Sequence, residues 1–200
     1  MITILIPAAG ASSRMAGTDK LMRRVDGVPL LARTVDRALA TGARVIVTLP
    51  ATDHPRAAAL AGKDVTVVAV PDRDRGMSRS LVRGAAQADP ALPLMILPAD
   101  MPDLDSDDLR TLIAARTTAP VGAILRGSGA DGTPGHPVLF PPSDLPGFAR
   151  LEGDQGAREI LARAASRLVM VPLPGTHALT DLDTADDWAR WEAQHQEGAT

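Results

Sequence analysis

Cysteine and tyrosine are both missing from the 200 residues. Without a thiol the chain has no disulfide framework, no thiolate nucleophile and no cysteine zinc site; this suits a reducing cytoplasm. Aromatic residues make up 2%, namely Phe140, Phe148, Trp188 and Trp191. Proteins that bind single-stranded nucleic acid stack bases on several rings, and these cannot build such a platform. Positive charge is not in excess either, since 21 Lys and Arg face 24 Asp and Glu for a net −3. That balance leaves no basic footprint for nucleic acid or an anionic membrane. No run approaches the ~18 uninterrupted apolar residues of a membrane helix. The apolar opening, Met1 to Pro7, has no basic residue ahead of it and leads straight into polar residues, so it reads as a buried strand rather than a secretion signal. The expectation is a soluble cytoplasmic protein with neither nucleic-acid nor membrane partners.

What is present is ordinary for a globular chain: 45% apolar and 22% charged residues, close to the averages of about 45–50% and about 25%. At ~150 residues per domain the length fits a single domain over 1–200. Short β-branched runs alternate with Ala/Leu/Arg-rich stretches, the pattern of βαβ units around a mostly parallel sheet, hence an α/β fold. The strands expected are Thr3–Ile6, Arg44–Leu49, Val65–Val70, Leu94–Leu97, Val121–Leu125 and Leu168–Val171. The helices expected are Leu30–Ala40, Ser78–Gln87, Asp105–Arg116, Gly156–Ala165 and Thr184–Gln194. In the first helix Leu30, Leu31, Thr34, Val35, Ala38 and Leu39 share one face, and Arg33, Asp36 and Arg37 the other. Gly42 stands where a left-handed helix-ending residue belongs. The Gly/Pro-rich stretch 127–147 breaks the rhythm, either as a substrate-side insertion or as a long surface loop.

Chemistry concentrates where the first strand ends, in Pro7-Ala8-Ala9-Gly10-Ala11-Ser12-Ser13-Arg14-Met15 and on to Lys20, followed by Arg23 and Arg24. Open parallel sheets bind ligands at the carboxyl ends of their strands. Small residues there expose backbone N–H groups, and a basic cluster in an acidic chain suits a polyphosphate. The spacing is neither a Walker loop nor the dinucleotide fingerprint. A literal G-x-G-x-x-G does occur at Gly127 to Gly132, but Pro134 and Pro137 follow it, so it reads as a turn rather than a phosphate loop.

Asp100, in Leu97-Pro98-Ala99-Asp100-Met101-Pro102, stands at the exit of the fourth strand, placed to hold a hard divalent cation or to cap a turn. Asp181 and Asp183 alternate, so in extended chain they face one side; Asp183 or Thr184 equally suits the cap of the last helix. Trp188 and Trp191, three apart, are expected to pack that helix on the sheet. His136 reads as a structural or a substrate-contacting loop histidine. His54, His177 and His195 give no zinc pattern and no triad spacing. Gly153 to Arg158 reads as a turn into a helix, with Arg158 a candidate anion ligand.

Taken in order, these segments resemble the MobA-like NTP transferases, the nucleotidyltransferases of molybdenum cofactor synthesis. That family's L-A-A-G-x-S-x-R-M-G-x-x-K-L opening is matched by P-A-A-G-A-S-S-R-M-A-G-T-D-K-L, with Pro7 for the leucine and Ala16 as one extra residue. Gly76-Met77-Ser78-Arg79-Ser80-Leu81, Asp100-Met101-Pro102, Gly135-His136-Pro137-Val138-Leu139-Phe140, Gly153-Asp154-Gln155-Gly156-Ala157-Arg158 and Asp181-Leu182-Asp183-Thr184 complete the series. Ala8-Ala9-Gly10, Asp-Met-Pro and Gly-His-Pro are similar to the cytidylyl rather than the guanylyl branch.

The resemblance implies a three-layer α/β/α, Rossmann-like nucleotidyltransferase fold. It also implies that Ala8, Ala9, Gly10, Arg14 and Lys20 hold the triphosphate, with Gly76 and Ser80 near base and ribose. Asp100 with Asp181 or Asp183 would bind Mg2+. His136, Pro137, Gly153, Asp154 and Arg158 would face a molybdopterin-type acceptor, and Arg14, Lys20 and Asp100 would carry catalysis. The activity implied is transfer of CMP from CTP to the cofactor, or of GMP from GTP, or transfer to another phosphorylated small molecule. A non-catalytic nucleotide-binding chaperone of a molybdoenzyme is the reading of another class. A molybdoenzyme or its chaperone is the partner implied.

Overall fold

In a computed structural model, described over residues 1–10 and 18–197, the uninterrupted apolar run at the start becomes β1 (Thr3–Pro7) in the middle of a seven-stranded sheet. Parallel strands covered on both faces need side chains that are apolar in both directions, and β1 has them. Ile4 and Ile6 enter one core with Val45 and Val47, while Leu5 enters the opposite core with Ile46. β4 (Arg44–Leu49) and β6 (Leu94–Ile96) run parallel on either side of β1, and β5 (Val65–Ala69) continues the parallel sheet beyond β4. β7 (Ile124–Ser128), β8 (Pro134–Phe140) and β9 (Leu168–Pro172) complete the order β5-β4-β1-β6-β8-β7-β9, with β8 antiparallel to both neighbours.

Helices cover both faces. α1 (Leu30–Leu39) and α3 (Ser106–Ala115) supply Leu31, Val35, Leu109 and Leu112 to the first core. α2 (Ser78–Ala85), α4 (Leu145–Phe148) and α5 (Arg158–Arg163) supply Leu81, Phe148 and Ile160 to the second. The result is the three-layer α/β/α, Rossmann-like architecture. α1 buries the expected stripe and stops before Gly42, which has φ +74°. α3 opens on a capping box in which Asp105 and Asp108 satisfy each other's backbone N–H groups.

Three expectations change. The strand expected over Val121–Leu125 begins at Ile124 and extends to Ser128, leaving Val121 fully exposed. The stretch 127–147 is not a loop throughout, because it holds the seven residues of β8 at the heart of the sheet. The G-x-G-x-x-G lies partly in β7 and partly in the β7–β8 turn, where Gly129 N–H donates to Thr133 O. Finally, Trp188 and Trp191 do not pack α6 (Ala185–Glu197) on the sheet. They form a separate cluster with Val25, Leu30 and Leu182 beside the two-stranded ribbon β2 (Arg24–Val25) and β3 (Val28–Pro29). The Arg23 guanidinium lies over the Trp188 ring, 4.4 Å from its centroid. No described helix is long and apolar enough to cross a membrane.

Candidate active site

β1 and β6 are adjacent and parallel, pairing Thr3 with Leu94, so their carboxyl ends deliver Ala8-Ala9-Gly10 and Pro98-Ala99-Asp100 side by side. A cleft of about 970 Å³ opens there. At its centre Lys20 Nζ donates to Asp100 Oδ2 at 2.5 Å and to Asp183 Oδ1 at 2.7 Å. Burial alone pushes the Lys20 ammonium down, but the two carboxylates outweigh it and hold the group above the usual lysine range. Asp183 is brought in by backbone pairing, since Leu182 N–H donates to Asp100 O at 3.0 Å. Thr184 then caps α6, its Oγ1 accepting from Asp187 N–H. Asp181 lines the same cleft, and burial, then Asp183 and Asp100, raise its carboxyl.

The ends of the small-residue loop are held by a side chain that the sequence did not single out. Arg56, 2% exposed, comes from a short 3-10 turn (Pro55–Leu60). Its Nη1 donates to Ala8 O at 2.6 Å and Gly10 O at 2.7 Å. Its Nε and Nη2 grip the Asp19 carboxylate at 2.7 and 2.9 Å, the paired-fork geometry that makes arginine–carboxylate contacts strong. Burial pushes Asp19 up, yet Arg56 and the Leu21 N–H leave it below the usual carboxylate range. Residues 8–10 and residue 19, immediately before Lys20, are thereby tied to one guanidinium.

The opposite wall joins two segments. Ser78 N–H donates to Gly153 O at 3.0 Å, Ser78 Oγ to Glu152 O at 3.0 Å, and Met77 N–H to Asp154 Oδ1 at 2.9 Å. The approach is so close that a Cβ on Gly76, which has φ +110°, would lie 2.4 Å from Gly153 O; only glycine fits there. Ser80 is buried on α2 and lines the cleft.

Ala8, Gly10, Lys20, Gly76, Ser80 and Asp100 all line this one cleft. So do His136, Asp154, Arg158, Asp181 and Asp183. Ala9 is buried in the core, Pro137 is buried within β8, and Gly153 stands behind Gly76, so none of these three lines it. Arg14 lies outside the described residues. Arg126, on β7, also lines the cleft; the sequence reading ended its strand at Leu125 and so missed it. A second acidic group, Asp105, Asp108 and His177, brings its ligand atoms within 4.8 Å of one another. It serves the α3 capping box and a 2.8 Å His177–Asp108 contact, and none of its three residues lines the cleft.

Residues 4–168 match the MobA-like NTP transferase domain. The chain belongs to that family. A molybdenum cofactor guanylyltransferase of Cupriavidus metallidurans is 33% identical over 98% of this chain and 97% of its own length. The bifunctional GlmU of Leifsonia xyli is 30% identical over 57% of this chain, which spans only 24% of that relative. Among solved structures, Rv0371c of Mycobacterium tuberculosis superposes with a TM-score of 0.80 at 28% identity, covering 95% of this chain and 96% of that one. A complex of Rv0371c with manganese superposes at 0.77 with 27% identity, over 94% and 96%. The chain is thus a nucleotidyltransferase of the MobA-like type.

Proposed function

We propose that this chain transfers a nucleoside monophosphate from a nucleoside triphosphate to the terminal phosphate of a molybdopterin-type acceptor, in the cytoplasm. The observation that carries this reading is the convergence of Lys20, Asp100 and Asp183 on one point between the β1 and β6 exits. An oxygen of the acceptor phosphate forms a bond to the α-phosphorus, and the bond from that phosphorus to the bridging oxygen breaks. Pyrophosphate leaves with the electron pair. The attacking oxygen is already anionic, so no general base is required, in keeping with a cleft where His136 is the histidine present.

The donor set fits a hard cation. Asp100 and Asp183 place oxygens within 2.5 and 2.7 Å of the same Nζ, so both reach one small positive centre, and carboxylates are what magnesium selects. When bound, Mg2+ would neutralise charge on the triphosphate. Ala8, Gly10 and Lys20, with Arg14, then hold the phosphates. Gly76 and Ser80 border the base and ribose. His136, Asp154 and Arg158 border the acceptor. Catalysis is positioning and charge neutralisation, where one lost contact commonly costs about 10²–10³ in rate.

CTP is the donor favoured by Ala8-Ala9-Gly10 and Asp100-Met101-Pro102. GTP is the second reading, favoured by the guanylyltransferase relative that matches along nearly the whole chain. Pyrophosphate release measured with magnesium and molybdopterin, for CTP against GTP, separates the two. Nucleotide binding with no pyrophosphate from either donor would replace the enzyme by a carrier that delivers cofactor to a molybdoenzyme.

A further inference from the structure

Two cations on the acceptor side of the cleft have no acid to neutralise them. Arg126 projects from β7, half-buried, with Nε donating to Gly135 O at 2.9 Å. Arg158 stands at the start of α5. Among the described residues neither guanidinium meets a carboxylate, whereas Arg23, Arg56 and Arg167 each hold one. Burial, and then the neighbouring Arg158 charge, hold Arg126 below the usual arginine range. His136 lies beside them on β8, its Nδ1 buried and without a hydrogen-bond partner. Burial and Arg126 depress its imidazole, while Asp100 opposes them; Arg126, Arg158, His136 and Asp100 all line the one cleft.

A half-buried cation such as Arg126 without a carboxylate is costly, and the usual remedy is an anion brought by a ligand; Arg158, exposed but lining the same cleft, adds a second positive charge. Two guanidinium forks and one neutral imidazole suit the tetrahedral oxygens of phosphate better than a planar carboxylate or an uncharged hydroxyl. We propose that Arg126, Arg158 and His136 form a binding site for a phosphomonoester dianion, the group on the acceptor that attacks the nucleotide. This rests on the transfer reading above and adds Arg126 as the residue that selects a phosphorylated acceptor. The site borders Asp100, so an oxygen held there would lie next to the phosphates anchored by Lys20. The γ-phosphate of a nucleotide has the same chemistry, and the test separates these two sources.

The probe is inorganic phosphate, titrated into the full chain with and without saturating magnesium nucleotide, with CTP and GTP used in turn, and read at the four imidazoles by NMR. Phosphate should shift His136 saturably, leave His54, His177 and His195 in place, and still bind when the nucleotide site is saturated. Arg126→Gln should weaken phosphate by about tenfold or more while nucleotide affinity holds. Arg158→Gln, at an exposed position where folding is not at stake, should act in the same direction. Displacement of phosphate by nucleotide would put the anion in the triphosphate site and overturn the proposal. Unchanged phosphate affinity in both variants would also overturn it. A chain that binds phosphate at His136 yet releases no pyrophosphate would sink the transfer reading and leave this site standing.

Discussion

Lys20 stands where two carboxylates meet, and its one ammonium is shared between them. It cannot fully serve those two groups and an incoming triphosphate at once, so nucleotide binding must redistribute its contacts. Lys20→Met therefore has opposite effects on two measurements. Removing a positive charge ~4 Å from a cation site relieves a repulsion of up to about 4 kcal/mol near a protein surface, so Mn2+ affinity without nucleotide, read by EPR, should rise by about tenfold or more. Turnover should fall by about 10²–10³. Weaker Mn2+ binding in the variant would show that Asp100 and Asp183 do not share an ion.

Arg56 makes a second case. Arg56→Met takes the guanidinium away from Asp19 and from the Ala8 and Gly10 carbonyls, which should cost about 3 kcal/mol, the low end for breaking a buried pair because Asp19 is partly solvated and keeps the Leu21 N–H. Denaturant unfolding of the variant checks this. Because Asp19 is held below its unfolded value, its contribution is present above the unfolded pKa of ~3.9 and is lost as pH falls through the folded value. The wild-type advantage over Arg56→Met should therefore narrow in acid, and a constant difference would assign the stability to packing alone. None of this was legible in the sequence. Arg56 lies 37 to 48 residues from its partners, and a buried arginine in an alanine-rich turn has no local pattern.

At the scale of elements, periodicity and strand composition carried most of the reading. β1, β4, β6, α1 and α3 appear within a residue or two of expectation, because each is apolar on the faces it buries. β8 was hidden by its prolines, which are rare in a central strand. The ladder shows how it accommodates them. Pro134 is the first residue of the strand, and Pro137 falls where the β7 pairing slips between Arg126 and Ser128, with β6 pairing only from Val138 onward. The tryptophans were assigned to the right helix and the wrong partner, since the ribbon they cover has only two-residue strands. The Gly76 contact is the strictest element-level constraint. Gly76→Ala must force residues 76 and 153 apart, so we expect a lowered Tm and a weakened nucleotide KM together. A variant with both unchanged would mean that this wall yields freely.

For the whole molecule, the donor machinery comes from the β1, β6 and 181–183 segments, and nucleotide binding should stabilise all of them together. At about 100 Kd of magnesium nucleotide the gain is about 2.7 kcal/mol, or roughly 5–11 °C in Tm for a chain of this size. Asp100→Asn should abolish most of that shift at the same nucleotide concentration. A full shift in Asp100→Asn would take Asp100 out of the nucleotide complex.

The reversed direction of β8 has one more consequence. The parallel strands meet the cleft where they finish, but β8 meets it from its first residues, at Pro134, Gly135 and His136, and again at Val138 and Phe140. The tip between β7 and β8, exposed over residues 130–133, leads directly into the start of β8. Its length and chemistry can drift with little penalty to the donor half, which makes it the natural place for lineages of this fold to trade one acceptor for another.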